Sequence, residues 1–397
     1  MAVGEVAIAP PAPSAGKALA GFFLSGFLFA LLGAILPAWG YHRDPPEFAT
    51  IGNYFLVLAA GVIAAHQISG AILARRNVRW LLVFACLLGC GGLLSLAVAT
   101  PPVHWLWRMP GLAASGVAVG LLNAGLFQNI AVCYAREPAR VVAMGGVFYG
   151  LGCLAVTLLV AGTFYAYSVP VILILMALAP GIFAALYART NVAENTAAVQ
   201  PGMGKVDFRS FGAVLFALLL FFQFGNEWSI AGWLPLFLVR RAGMSPPASL
   251  WLLALYWIAL LVGRMLAVAI LRRVRHGVLL GSSVLAALFG CLLLGRSSWI
   301  GMQSGIIVGL LLLGAGFASI YPLLAEKIGR RFSYYHPVFF SGVFSFALFG
   351  GLVAPATLGY AAAEWGIGIV LVIPCLGICM VSLLLLLIWL ESKVTGR

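Results

Sequence analysis

Acidic side chains are scarce in this chain. Ten Asp and Glu stand among 397 residues against 23 Lys and Arg, and charged residues of both signs make up 8% of the sequence. So little charge excludes a solvated globular surface, because 63% of the residues are hydrophobic and would have to be exposed with it. A metal centre is missing from the pattern as well. The seven cysteines (Cys86, Cys90, Cys133, Cys153, Cys291, Cys375, Cys379) all lie in apolar segments, without zinc-ligand spacing or the pairing of a disulfide-stapled loop. They read as small core residues. No phosphate-cradling glycine loop and no nucleophile with a positioned base is present, so neither an enzyme nor an ATP-driven pump is expected, and no cofactor beyond a proton or other ion gradient. A nucleic-acid partner would want a soluble basic domain with interleaved aromatics, and there is none.

What the sequence does have is apolar runs long enough to cross the roughly 30 Å hydrocarbon core of a bilayer. They predict an all-α integral membrane protein of about twelve spans, near 16–38, 49–74, 80–99, 110–134, 141–163, 168–188, 209–238, 248–271, 277–295, 300–325, 334–360 and 367–390. The first run follows Lys17 and could pass for a secretion signal, but it is too long for a signal core and carries Pro37, so it is read as a permanent helix. Residues 1–15 are Pro-rich and predict a disordered tail. With the N-terminus in the cytoplasm, seventeen Lys and Arg fall on the inner side and five on the outer. That bias predicts both termini inside, and the net charge of +13 reads as topology and contact with anionic headgroups. The expected setting is the plasma membrane, the inner membrane of the cell, with the chain monomeric and crossing many times.

The hydrophilic stretch 189–208 predicts a cytoplasmic linker between two six-helix bundles, 16–188 and 209–390, with 391–397 as a tail. The bundles echo each other. Gly70 to Arg79 joins spans two and three, Ala267 to Arg275 joins spans eight and nine, and matching Arg75 to Arg272 gives a displacement of 197 residues. Ala124-Gly125 and Ala315-Gly316 are a second echo, in spans four and ten. A repeat of six and six spans is the mark of a transporter whose site lies near midplane between two pseudo-symmetric halves.

On these residues the chain resembles the major facilitator superfamily along its whole length. Its two basic loops are similar to that family's gating loop, with Ala74 where an Asp is expected and Asn77 where a second Gly is expected. More narrowly it resembles the fucose-permease-like sugar symporters, through Phe22-Phe23-Leu24 to Leu36-Pro37, Gly225-x-Glu227 followed by Trp233-Leu234, and Ala318-Ser319-Ile320-Tyr321-Pro322. The resemblance implies an alternating-access symporter. It departs at the coupling acids: Gly33 stands at the place of the first-helix Asp, and span four offers Asn123, Gln128 and Asn129 in place of a Glu.

Among the acids only Glu227 lies deep within an apolar span, where an ionisable group is costly unless it faces a cavity or carries a proton. It is the candidate for proton coupling; the alternative is a protonated acid satisfied by a neighbour such as Asn226. Counted along the helices from the nearest cytoplasmic arginine, Glu227 lies about 27 Å deep, Tyr256 about 24 Å, Asn123 about 20 Å and Arg264 about 12 Å. The gap of about 15 Å predicts no direct ion pair between Glu227 and Arg264. Arg264, with Gln67 at the equivalent place in the first half, is assigned to an inner gate together with His66, Arg75 and Arg272; a structural clamp is the alternative for Arg264, and a helix-bridging hydrogen bond for His66. Asn123, Gln128, Gln223, Asn226, Trp228, Tyr256, Trp257 and Tyr321 mix amides with flat aromatics, a set that suits the hydroxyl edges and C–H faces of a sugar. The function expected is secondary transport of a small neutral solute across the lipid bilayer. An exporter or facilitator of a more hydrophobic compound, and a transport-inactive receptor or scaffold, are the alternatives.

Overall fold

The computed structural model describes residues 14–136, 138–189, 211–270, 274–296, 302–331 and 337–395. Their regular structure is helical throughout, as lipid requires: with no water to satisfy N–H and C=O groups, the chain must satisfy them within each span. The elements are α1 (Ser14–Phe29), α2 (Leu31–Ile35), α3 (Phe48–Arg75), α4 (Val78–Val98), a short 3-10 turn (Trp105–Arg108), α5 (Met109–Arg136), α6 (Pro138–Thr163), α7 (Val169–Arg189), α8 (Phe211–Ala242), α9 (Pro246–Ile270), α10 (His276–Gly295), α11 (Met302–Arg331), α12 (Pro337–Trp365) and α13 (Ile369–Thr395).

Eleven helices among the described residues are long and apolar enough to cross a membrane. The twelfth span is α1 with α2. It is distorted at Ala30 but not broken, since Ala30 N donates to the Gly26 carbonyl at 3.0 Å and Ala34 N to the Ala30 carbonyl at 3.3 Å. The chain is a multi-pass membrane protein, with spans close to those the hydropathy predicts. The ends differ where helices outrun the apolar run: α11 continues to Arg331, and α13 continues through most of the expected tail. Residues 1–13, the linker from residue 190 and Arg272 lie outside the described residues.

Packing joins α3 with α5, α4 with α5 and α7, and α1 with α5 and α6; it also joins α8 with α12 and α13, and α11 with α9 and α10. These two groups meet along α3 with α12, α6 with α9, and α2 with α8. Helix α8 runs through the middle, and every residue from Gln223 to Leu238 is buried. A helix buried on all faces cannot be read for orientation from an apolar stripe, because it has none.

Two close approaches set the seam. Pro235 has no N–H to offer the Ala231 carbonyl one turn back. That carbonyl turns onto Gly33, where a Cβ would collide with it. An Asp at position 33, the coupling acid of the fucose-permease-like pattern, would have no room here. Near the end opposite the termini, Gly52 of α3 and Gly359 of α12 leave no room for a Cβ between them. The same end is tied by Arg240 at the close of α8. It donates to Asp44 at 2.8 Å and to the His42 carbonyl at 3.1 Å, and lies 5.7 Å over the Phe48 ring.

Candidate functional site

Glu227 is 3% exposed and is held on three sides. Gln223, one turn earlier on α8, donates from Nε2 to Oε1 at 3.0 Å. The Tyr256 hydroxyl donates to the Glu227 carbonyl at 3.3 Å, and Arg264 Nη2 reaches Oε2 at 3.4 Å. The ion pair that depth counting excludes is therefore present. The reason lies in side-chain direction. Each Cα–Cβ bond leans toward the N-terminus of its own helix. Helices α8 and α9 are consecutive spans of opposite direction, so Glu227 leans down one and Arg264 leans up the other, and their heads meet between the backbones. Gln223 also lies on the N-terminal side of Glu227, as that lean requires.

Arg264 also bridges the two groups of helices, in the interior of the seam. Its Nη1 donates to the Gly146 carbonyl of α6 at 2.9 Å while Nη2 serves Glu227 of α8, and its Nε has no hydrogen-bond partner among the described residues. Gly146 is bordered by Arg264 and by the Tyr321 ring, whose own neighbour is Phe224 at 5.4 Å between centroids. An ion pair this buried is costly to form and more costly to halve.

An aromatic wall stands beside the pair. Trp228, the residue after Glu227, meets Phe29 of α1 at 4.2 Å, Trp257 of α9 at 5.4 Å and Tyr149 of α6 at 6.1 Å between centroids. The Tyr149 hydroxyl, Trp257 Nε1 and Gln223 Oε1 are buried without a hydrogen-bond partner among the described residues. Buried polar atoms without partners are costly, and at a seam between two packed groups they suit a polar visitor.

Of the residues singled out in the sequence, Glu227, Gln223, Trp228, Tyr256, Trp257, Arg264 and Tyr321 belong to this constellation. Asn226 faces α13, where its amide fills the space over Gly377. Asn123 is buried and accepts from the Ser25 hydroxyl at 2.8 Å, while Gln128 is exposed. His66, Gln67 and Arg75 are exposed along α3, so Gln67 and Arg264 do not have matching surroundings. Phe29, Tyr149 and Gly146 are absent from the sequence reading. Two are apolar-span aromatics with no local signal, and Gly146 contributes only its carbonyl.

No model of a known protein family matches the chain. An uncharacterized MFS-type transporter of Yersinia pestis is 24% identical over 352 residues, which is 86% of this chain and 87% of that protein. The crystal structure of a D-xylose-proton symporter superposes with a TM-score of 0.73 at 15% identity, covering 94% of this chain and 96% of that one. The xylose transporter of E. coli in a partially occluded inward-open conformation gives 0.70 at 14%, covering 94% and 97%. A nucleoside transporter gives 0.65 at 14%, covering 94% and 99%. At those identities the superpositions establish the fold.

Proposed function

We propose that this chain, which carries the major facilitator fold and is a homologue of an MFS-type transporter, is a proton-coupled secondary transporter of a small neutral solute of the sugar class. Its halves are α1–α7 and α8–α13, with both termini in the cytoplasm, and they alternate about the seam that Arg264 bridges. The observation that carries this reading is the chain Gly146 carbonyl, Arg264, Glu227 and Gln223, which links one half to the other through the pair of opposite charges at the seam. A proton on Glu227 removes the charge that holds Arg264 toward α8, and so changes the linkage between halves. Trp228, Trp257 and Tyr149 supply faces for a sugar's C–H surface, and their neighbouring unpartnered polar atoms supply hydrogen bonds for its hydroxyls.

The density of aromatic rings around Trp228 favours one second reading, a solute with a flat or more hydrophobic face. Both are tested by uptake of labelled sugars, polyols and nucleosides into proteoliposomes, with and without an imposed proton gradient. Saturable uptake of a sugar that the gradient drives uphill supports the proposal. Uptake confined to aromatic-faced solutes supports the second reading, and no flux of any solute contradicts both.

A further inference from the structure

At the end of the bundle opposite the termini, a recess of about 370 Å³ is lined by Trp39, Tyr41, Arg43, Glu47, Trp105 and Arg108 with their neighbours. That volume lies within the roughly 300 to 1,000 Å³ of small-molecule sites. It shares no residue with the Glu227 centre.

Arg108 is 3% exposed and forms no ion pair with a carboxylate among the described residues. Its Nε donates to the Ala99 carbonyl at 2.9 Å, Nη1 to the hydroxyls of Tyr41 at 2.8 Å and Tyr54 at 2.6 Å, and Nη2 to the Val103 carbonyl at 2.7 Å. Every one of these acceptors is neutral. Burial pushes the Tyr41 phenol well above its usual range, which keeps it so. A guanidinium has five N–H donors, so one on Nη2 remains. The Trp39 ring lies 5.4 Å from the guanidinium carbon, and its buried Nε1 has no hydrogen-bond partner among the described residues. A loop clamp would use the four hydrogen bonds. It would not need a full positive charge, whose burial without a counter-charge costs several kcal/mol. Of the carboxylates at the recess, Asp44 is engaged by Arg240 at 2.8 Å, and Glu47 is exposed at the rim.

We propose that this recess binds a small organic carboxylate. The Arg108 guanidinium and Trp39 Nε1 donate to its oxygens, and the rings of Trp39, Tyr41 and Trp105 cover a flat or aliphatic body. The carboxylate supplies the missing counter-charge through charge-assisted hydrogen bonds.

Calorimetric titration of the full chain in neutral detergent, at fixed ionic strength, tests it with benzoate against its neutral analogue benzyl alcohol. Saturable binding of benzoate and none of benzyl alcohol is expected. Trp39→Phe removes one donor and leaves Arg108 in place; it weakens benzoate about tenfold, as loss of a hydrogen bond to a charged group does. Glu47→Gln removes a repelling charge at the rim and tightens benzoate by up to about fivefold. Arg108→Gln abolishes binding, and because that variant also loosens the loop, the first two carry the test. Equal binding of benzyl alcohol, or benzoate binding indifferent to both Trp39→Phe and Glu47→Gln, overturns the proposal. Tighter binding of inorganic phosphate, or competition only by vesicles containing phosphatidylglycerol, reassigns the recess to a phosphate or headgroup and overturns the carboxylate.

Discussion

Arg264 Nη2 and Glu227 Oε2 lie 3.4 Å apart, although counting along the helices from the basic loops puts the two residues about 15 Å apart in depth. Antiparallel neighbours whose side chains each lean toward their own N-terminus bring such heads together. Removing Arg264 leaves Glu227 buried without its counter-charge, to be held ionised or neutralised by a proton. Arg264→Met is expected to destabilise the folded chain by about 3 to 5 kcal/mol, the usual cost of halving a buried pair. The double variant Glu227→Gln, Arg264→Met should recover most of that loss. Thermal unfolding in detergent checks it, and a double variant no better than the single one would mean that the two charges are not coupled.

Gly33 has no room for a methyl group under the Ala231 carbonyl. Because the obstacle is backbone, Gly33→Ala should cost about 1 to 3 kcal/mol, the range for overpacking. Gly91→Ala in α4, where nothing lies within 4 Å of an added Cβ, should be neutral or stabilising. Melting temperatures of the two variants compare directly.

His42 lies in the turn between α2 and α3, outside the spans. Burial lowers its pKa, and the adjacent Arg43 lowers it further; Arg240 acts in the same direction while Asp44 is held by Arg240. A folded-state value below the unfolded one means that the folded state binds fewer protons. The stability contributed is complete above about pH 6.5, the ordinary histidine value, and is lost as pH falls toward the folded-state value. The protection of residues 40–47 against hydrogen exchange, taken relative to the intrinsic rate at each pH, should therefore fall on moving from neutral to mildly acidic buffer, and His42→Asn should remove most of that pH dependence.

Much of the fold was legible because hydropathy and span length are the same constraint in a bilayer. The candidacy of Glu227 was legible for the same reason, as an acid placed where acids are costly. Its partner was not, because counting residues from a basic loop gives backbone depth and says nothing of side-chain lean. Asn226 shows the converse limit. An amide next to Glu227 reads as a ligand, yet its position on α8 turns it onto Gly377. Phe29 and Tyr149 join the site only because α1 and α6 pack there, and no local pattern announces that.

In the transport cycle proposed above, Glu227 carries the coupled proton and Arg264 responds to its charge across the seam. The direct measurement is accumulation of the transported solute in proteoliposomes under an inward proton gradient, set beside counterflow without one, for Glu227→Gln. Gln keeps the shape and the hydrogen bond to Gln223 but cannot titrate. Counterflow is expected to persist and gradient-driven accumulation to disappear. Accumulation at the unmodified level in Glu227→Gln would contradict that cycle, since the proton would then travel by another residue.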